Sequence, residues 1–143
     1  MAGVRAQRRR GVTLIEAVAA VVIMAIAIPP MLWAIRSAHI RRAQLVQAAT
    51  ARWLAEEKIE DLIADRYSTT RGFDYLIAGN YSAETPVTGF PAFSRTVGFR
   101  ETQADLLTPG IGYLNVTVTV SWTDAVGVAR NLPLRTVITE FGS

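Results

Sequence analysis

From Ala17 to Ile35 the chain runs for nineteen residues without a charged side chain. As a helix rising about 1.5 Å per residue, the run spans roughly 28 Å, close to the ~30 Å hydrocarbon core of a bilayer. No other feature limits the fold as strongly. The segment reads as membrane-spanning, and a 143-residue chain has room for one domain besides it. A basic cluster, Arg8-Arg9-Arg10, precedes the run, and one carboxylate, Glu16, stands at its entrance. A charge beside or inside a membrane segment is costly, which makes Glu16 a candidate functional residue.

Gly11-Val12-Thr13-Leu14-Ile15-Glu16 joins the basic cluster to the apolar run. This stretch resembles the prepilin signal of type IV pilins and type II secretion pseudopilins. Those proteins have a short basic leader ending in Gly, then usually Phe-Thr-Leu-Ile-Glu, then an apolar helix. The departure here is Val12 where Phe is usual. The resemblance implies cleavage between Gly11 and Val12 by a membrane-embedded prepilin peptidase, and N-methylation of Val12. It further implies that Glu16, the fifth mature residue, acts in assembly through an intersubunit salt bridge. The implied partners are the peptidase, other pilin or pseudopilin subunits, and the bacterial inner membrane.

Charge and composition narrow the classes. The formal net charge is +3. With Arg5, Arg8, Arg9 and Arg10 removed in the leader, fifteen basic residues become eleven against twelve acidic, a balance of −1. No basic patch interleaved with aromatics remains after Val12, so nucleic acid is not an expected partner. There is no cysteine, so the domain holds together without disulfides, and Cys-ligated zinc or iron–sulfur sites are excluded. His39 is the single histidine. The sequence has no nucleotide-binding glycine loop, no zinc-binding His pair and no nucleophile elbow. No metal, no cofactor and no enzymatic activity are expected. The arginines of the leader favour a cytoplasmic N-terminus, although Arg36, Arg41 and Arg42 flank the other end. Ile35 and Arg36 interrupt any small-residue cleavage site after the apolar run, so that run reads as retained.

In chain order, residues 1–11 form a leader, 12–35 a transmembrane and assembly helix, and 36–143 an exported domain. Pro29-Pro30 removes the donors to the carbonyls of Ala25 and Ile26, so a kink or a locally opened turn is expected there. Helical character continues to about Arg66. Ala48, Ala51, Ala55, Ile59 and Leu62 form one face at spacings of three and four. Glu56, Glu57, Lys58, Glu60, Asp61 and Asp65 occupy much of the remainder, as on a helix lying on a sheet with its charged face in solvent. The wording from Ala51 to Leu62 resembles the same helix in minor pilins and minor pseudopilins. Residues 67–92 break into a long connection punctuated by Gly72, Gly79, Pro86, Gly89 and Pro91, with Phe73, Tyr75, Tyr81 and Phe90 between them. The aromatics read as packing that connection onto the domain. Residues 93–143 read as antiparallel sheet. Phe93, Val97 and Phe99 mark a first strand, with Arg95 as the exception to its alternation. Leu114, Val116, Val118, Val120 and Trp122 alternate with Asn115, Thr117, Thr119 and Ser121, and are expected to face the helix. Pro133 places part of the returning strand at an edge.

The fold class expected is therefore α+β and pilin-like: one long N-terminal helix packed on a C-terminal antiparallel sheet of three or four strands. The function expected is that of a minor pilin in assembly or initiation of a type IV pilus, the alternative being a minor pseudopilin of type II secretion. From another class, a membrane-anchored binding domain would carry the same helix as a plain tether. A tether keeps its leader, whereas an assembly subunit begins at methylated Val12. Gly11→Leu is predicted to abolish maturation, because a bulky residue replaces the small one before the scissile bond. Full-length prepilin should accumulate on an immunoblot of cells that contain a prepilin peptidase.

Overall fold

A computed structural model describes residues 13–140 of the chain. The leader, Gly11 and Val12 lie outside the described residues. The chain divides between His39 and Ile40 into two units. Helix α1 covers Leu14–Tyr67 and supplies the described part of the first unit as well as the start of the second. Three strands follow, β1 at Phe93–Thr102, β2 at Tyr113–Thr123 and β3 at Ala129–Thr139.

Over its described residues the first unit is helix from Leu14 onward. Thr13 precedes it and caps it: its Oγ1 accepts from the Glu16 N–H at 3.3 Å, and its carbonyl accepts from the Ala17 N–H at 3.1 Å. Thr13 and Glu16 hold the Ncap and N3 positions of a capping box, and the bond from the N3 amide to the cap hydroxyl is in place. The side chains beyond face outward, Ile15 at 79% exposure, Ile26 at 72% and Trp33 at 73% among them. By length and composition this helix can cross a membrane. Helical geometry continues without interruption through Pro29 and Pro30.

The second unit is a helix layer on a sheet layer. Ala51, Leu54, Ala55 and Leu62 of α1 are buried together with Leu114, Val116, Val118 and Val120 of β2 in one hydrophobic cluster. The helix stripe is thus close to that expected from the sequence. Ile59 is a part-buried flank, Ala48 is half-buried, and Leu54 joins the centre. Strand order is β1-β2-β3, antiparallel throughout, so the expected sheet has three strands. Val97 lies opposite Val118, and Val118 opposite Leu134, so one register runs across all three strands. Pro133 sits on β3, which among the described residues pairs only with β2 and is an edge strand there.

Trp122 departs from the simple alternation. It packs against the core and against the Phe93 ring at 6.0 Å between centroids, but it is half-buried at the end of the sheet. The connection after α1 is compact rather than loose. It contains single 3-10 turns at Phe73–Tyr75 and Ala78–Asn80, it buries Leu76 and Val87, and it packs Phe73, Tyr81 and Phe90 on the core.

Leu54 is fully buried, whereas Leu45, nine residues earlier on the same helix, is 72% exposed. Leu54→Ala should therefore cost about 2–5 kcal/mol through lost burial and a cavity. Leu45→Ala should change stability by less than about 0.5 kcal/mol. Denaturant unfolding of the full chain in detergent micelles, followed by tryptophan fluorescence, measures both.

Candidate functional site

The residues singled out at the N-terminus divide into two groups. Gly11 and Val12 lie outside the described residues. Glu16, Pro29 and Pro30 all lie on α1. Glu16 is in the first helical turn, its side chain exposed and its amide held by the cap hydroxyl of Thr13. The cap fixes where α1 begins and hence where Glu16 stands on it. A carboxylate in the first turn also faces the positive end of the helix dipole, a favourable placement. The sequence Thr13-Leu14-Ile15-Glu16 carries the capping pattern, so this local geometry needs no tertiary contact.

Residues 6–28 match the family described as the prokaryotic N-terminal methylation motif. That motif is diagnostic of a type IV pilin-like prepilin signal, and the match spans both Gly11-Val12 and Glu16. Comparison with curated proteins and with solved structures returns no match. The motif supports the type IV pilin and pseudopilin family, which is structural rather than enzymatic. With the apolar helix, it points to membrane anchoring, processing by a prepilin peptidase and assembly with other pilins.

The ionic clusters of the second unit are structural in geometry. Arg95 projects from β1 to the core face and is only 5% exposed. Its Nη1 donates to the Leu54 carbonyl at 2.6 Å and to Glu57 at 3.0 Å, and its Nη2 donates to Glu84 at 2.7 Å. Lys58 meets the other oxygen of Glu84 at 2.8 Å. Helix, connection and sheet are thereby joined at one guanidinium. Asp65 makes a second junction, accepting from Tyr81 Oη at 2.7 Å and from Arg71 at 2.5 Å. Asp124 makes a third in the β2–β3 turn. Its Oδ1 accepts from the amides of Val126 and Val128, and its Oδ2 from Arg130 and, at 3.5 Å, from Gln44 of α1. Sequence reasoning assigned no role to these three groups. The break in alternation at Arg95 was the one available signal.

Among the described residues, no group of three or more His, Cys, Asp or Glu side chains is placed to hold a metal ion. His39 and the acidic residues of α1 do not converge on one site.

Titration of the clusters has a definite sign. Burial pushes the Glu84 carboxyl up, but Lys58 and Arg95 outweigh burial, so its pKa lies below the ordinary value. Asp65 behaves likewise: burial raises it, and the hydrogen bonds from Tyr81 and Arg71 bring it below normal. A carboxylate with a depressed folded-state pKa stabilises the fold above its unfolded pKa. That contribution is lost as pH falls through the folded value. Glu84→Gln should therefore lower the melting temperature at pH 7. The gap from wild type should narrow below about pH 4, where the wild-type carboxylate is itself being protonated. Thermal unfolding of both proteins across that range checks the sign.

Proposed function

We propose that the chain is a minor pilin acting in assembly or initiation of a type IV pilus. The reading is supported by the match of the methylation motif to residues 6–28, which runs into the first turns of a helix able to cross a membrane. In this reading, residues 1–11 are a leader removed by the peptidase between Gly11 and Val12, and the new amine of Val12 is methylated. Residues 12–35 anchor the subunit in the inner membrane with the N-terminus cytoplasmic, and 36–143 form the exported domain. Preference for a minor subunit comes from the resemblance of Ala51–Leu62 to the same helix in minor pilins and minor pseudopilins. A minor pseudopilin would use the same parts, and the subunits that co-purify tell the two apart.

Glu16 carries the assembly chemistry in this proposal. A carboxylate in an apolar filament core needs a partner or must become neutral. The amine of Val12 on a neighbouring subunit stays protonatable after a single methylation and is a suitable cation. Desolvation offsets much of what such a pair contributes, so its effect is on register more than on strength. A misdocked subunit leaves a charge unpaired. In this reading Pro29-Pro30 is the place where the otherwise continuous apolar helix can bend in the filament, since the carbonyls of Ala25 and Ile26 lack their usual donors.

Glu16→Val is expected to insert in the membrane and to be cleaved, but to assemble poorly. Pull-down of a tagged subunit from detergent extracts reads this directly. Other pilins recovered at the wild-type yield would leave Glu16 at headgroup level, satisfied by water, with no part in assembly.

A further inference from the structure

Between Glu16 and Glu56 every charged side chain is an arginine: Arg36, Arg41, Arg42 and Arg52. In the proposed orientation the first three lie on the exported flank of the apolar run, against the tendency of basic residues to stay cytoplasmic. Arg52 has a partner, Glu56, at 2.7 Å. Arg41 is exposed and makes no hydrogen bond or ion pair with any of the described residues. It lines a hollow of about 500 Å³ in the second unit.

Leu45, Ala48 and Trp122 give that hollow an apolar wall, and Arg41, Asp124 and Arg130 give it charge. Its volume suits a small molecule. The charge it presents is positive, because Asp124 is spent. The Asp124 side chain is 1% exposed, and its oxygens accept from the amides of Val126 and Val128, from Arg130 and from Gln44. Arg130 gives Asp124 only its Nε, so both its Nη groups are without a partner among the described residues, on a half-exposed side chain. Two guanidiniums with free donors, beside an indole and two aliphatic side chains, match a phosphate diester carried on an apolar stem.

We propose that this hollow binds the headgroup of one anionic phospholipid, Arg41 and Arg130 holding the phosphate and Leu45, Ala48 and Trp122 the glycerol end of the acyl chains. Position selects a lipid over a free anion. Six residues separate Ile35 from Arg41, so the chain, whatever its path, keeps Arg41 within about 22 Å of the end of the apolar run. A membrane-spanning run then holds phospholipid headgroups at high effective concentration beside the hollow, in the layer that Trp also favours. Charge selects the anionic class. The ammonium of a zwitterionic headgroup would meet two guanidiniums and find no free carboxylate. The site goes beyond the proposed function by giving the chain a ligand. It rests on the membrane-spanning reading of the apolar run and is independent of whether the chain assembles into a filament.

The full-length chain is purified in maltoside micelles, incubated with equal amounts of phosphatidylglycerol and phosphatidylcholine, and examined by native mass spectrometry. One phosphatidylglycerol per chain is expected to stay bound, in several-fold excess over phosphatidylcholine. Arg41→Gln should lower that retention several-fold, as should Leu45→Glu, which sets a carboxylate in the apolar wall. Arg42→Gln should leave it unchanged, because Arg42 carries the same charge one residue away but does not line the hollow. Arg41 and Leu45 are both exposed, so neither change threatens the fold, and thermal unfolding in the same micelles checks this. Equal losses from Arg41→Gln and Arg42→Gln would reduce the contact to diffuse attraction and overturn the site. Retention of both lipids alike, retention of neither, or displacement of the lipid by millimolar inorganic phosphate would overturn it too. Flotation of the chain with vesicles reads the anchoring separately. A chain that floats without headgroup preference loses the site alone, and one that does not float loses the span on which the site rests.

Discussion

A guanidinium removed from water must be met by acceptors, or the fold loses several kcal/mol. Arg95 imposes that condition on the second unit. It enters the core face of the sheet where the alternation of β1 calls for an apolar side chain, opposite Val120. Its donors reach the Leu54 carbonyl and Glu57 on α1, and Glu84 on the connection. Nε is buried and has no partner, so the ion cluster is not a source of cheap stability. Its effect is positional. Glu84 also pairs with Arg95 through backbone bonds in both directions, at 2.9 Å each, and takes Lys58 on its second oxygen. The connection is thus fixed to β1 by its backbone and to α1 by its side chains. Leu76, Val87, Tyr81 and Phe90 then close over the core. A chain with no cysteine locks a twenty-five-residue connection by charge and aromatic packing instead of a covalent bridge.

What was legible in the sequence is what repeats. The alternation from Leu114 to Val120 gave the central strand and its buried face, because a half-buried strand has a period of two. The three-and-four spacing from Ala51 to Leu62 gave the buried helix face. Pro133 gave the edge. Each is local, and each survives in the folded chain. The rest is not periodic. Asp124 reads as an ordinary turn residue, yet it is buried and holds Gln44 from eighty residues away. Arg95 showed only as an irregularity, since its partners at 54, 57 and 84 come from three separate stretches. Trp122 continues the alternation on paper, but the sheet ends there and the helix layer no longer covers it fully. At the candidate site, the order of Gly11, Thr13 and Glu16 was visible because the motif is contiguous. The cap that places Glu16 was implicit in Thr13-Leu14-Ile15-Glu16.

The two units meet opposite physical demands. Residues 40–140 satisfy themselves, with a buried core, paired carboxylates and a capped hairpin. The helix from Leu14 to His39 satisfies only its backbone, apart from the Ala25 and Ile26 carbonyls whose donors Pro29 and Pro30 remove. Its cap and its hydrogen-bond ladder are internal, while its aliphatic side chains remain uncovered from Ile15 to Ile35. A surface of that extent in water is unfavourable by about 25 cal/mol per Å² and has to be covered by lipid or by other helices. Lipid covers it without selectivity, because acyl chains are as apolar as Leu or Val. Other helices discriminate only through packing and through polar groups. Over the described part of that unit, before Arg36, Glu16 is the single charged side chain. The burial that makes the segment stable therefore says little about which neighbour it takes, and nothing about register. Those have to come from groups other than the aliphatic side chains, and Glu16, the one charge between Leu14 and Ile35, is the group to which the function proposed above gives that part. A subunit built this way separates affinity from specificity along its own length.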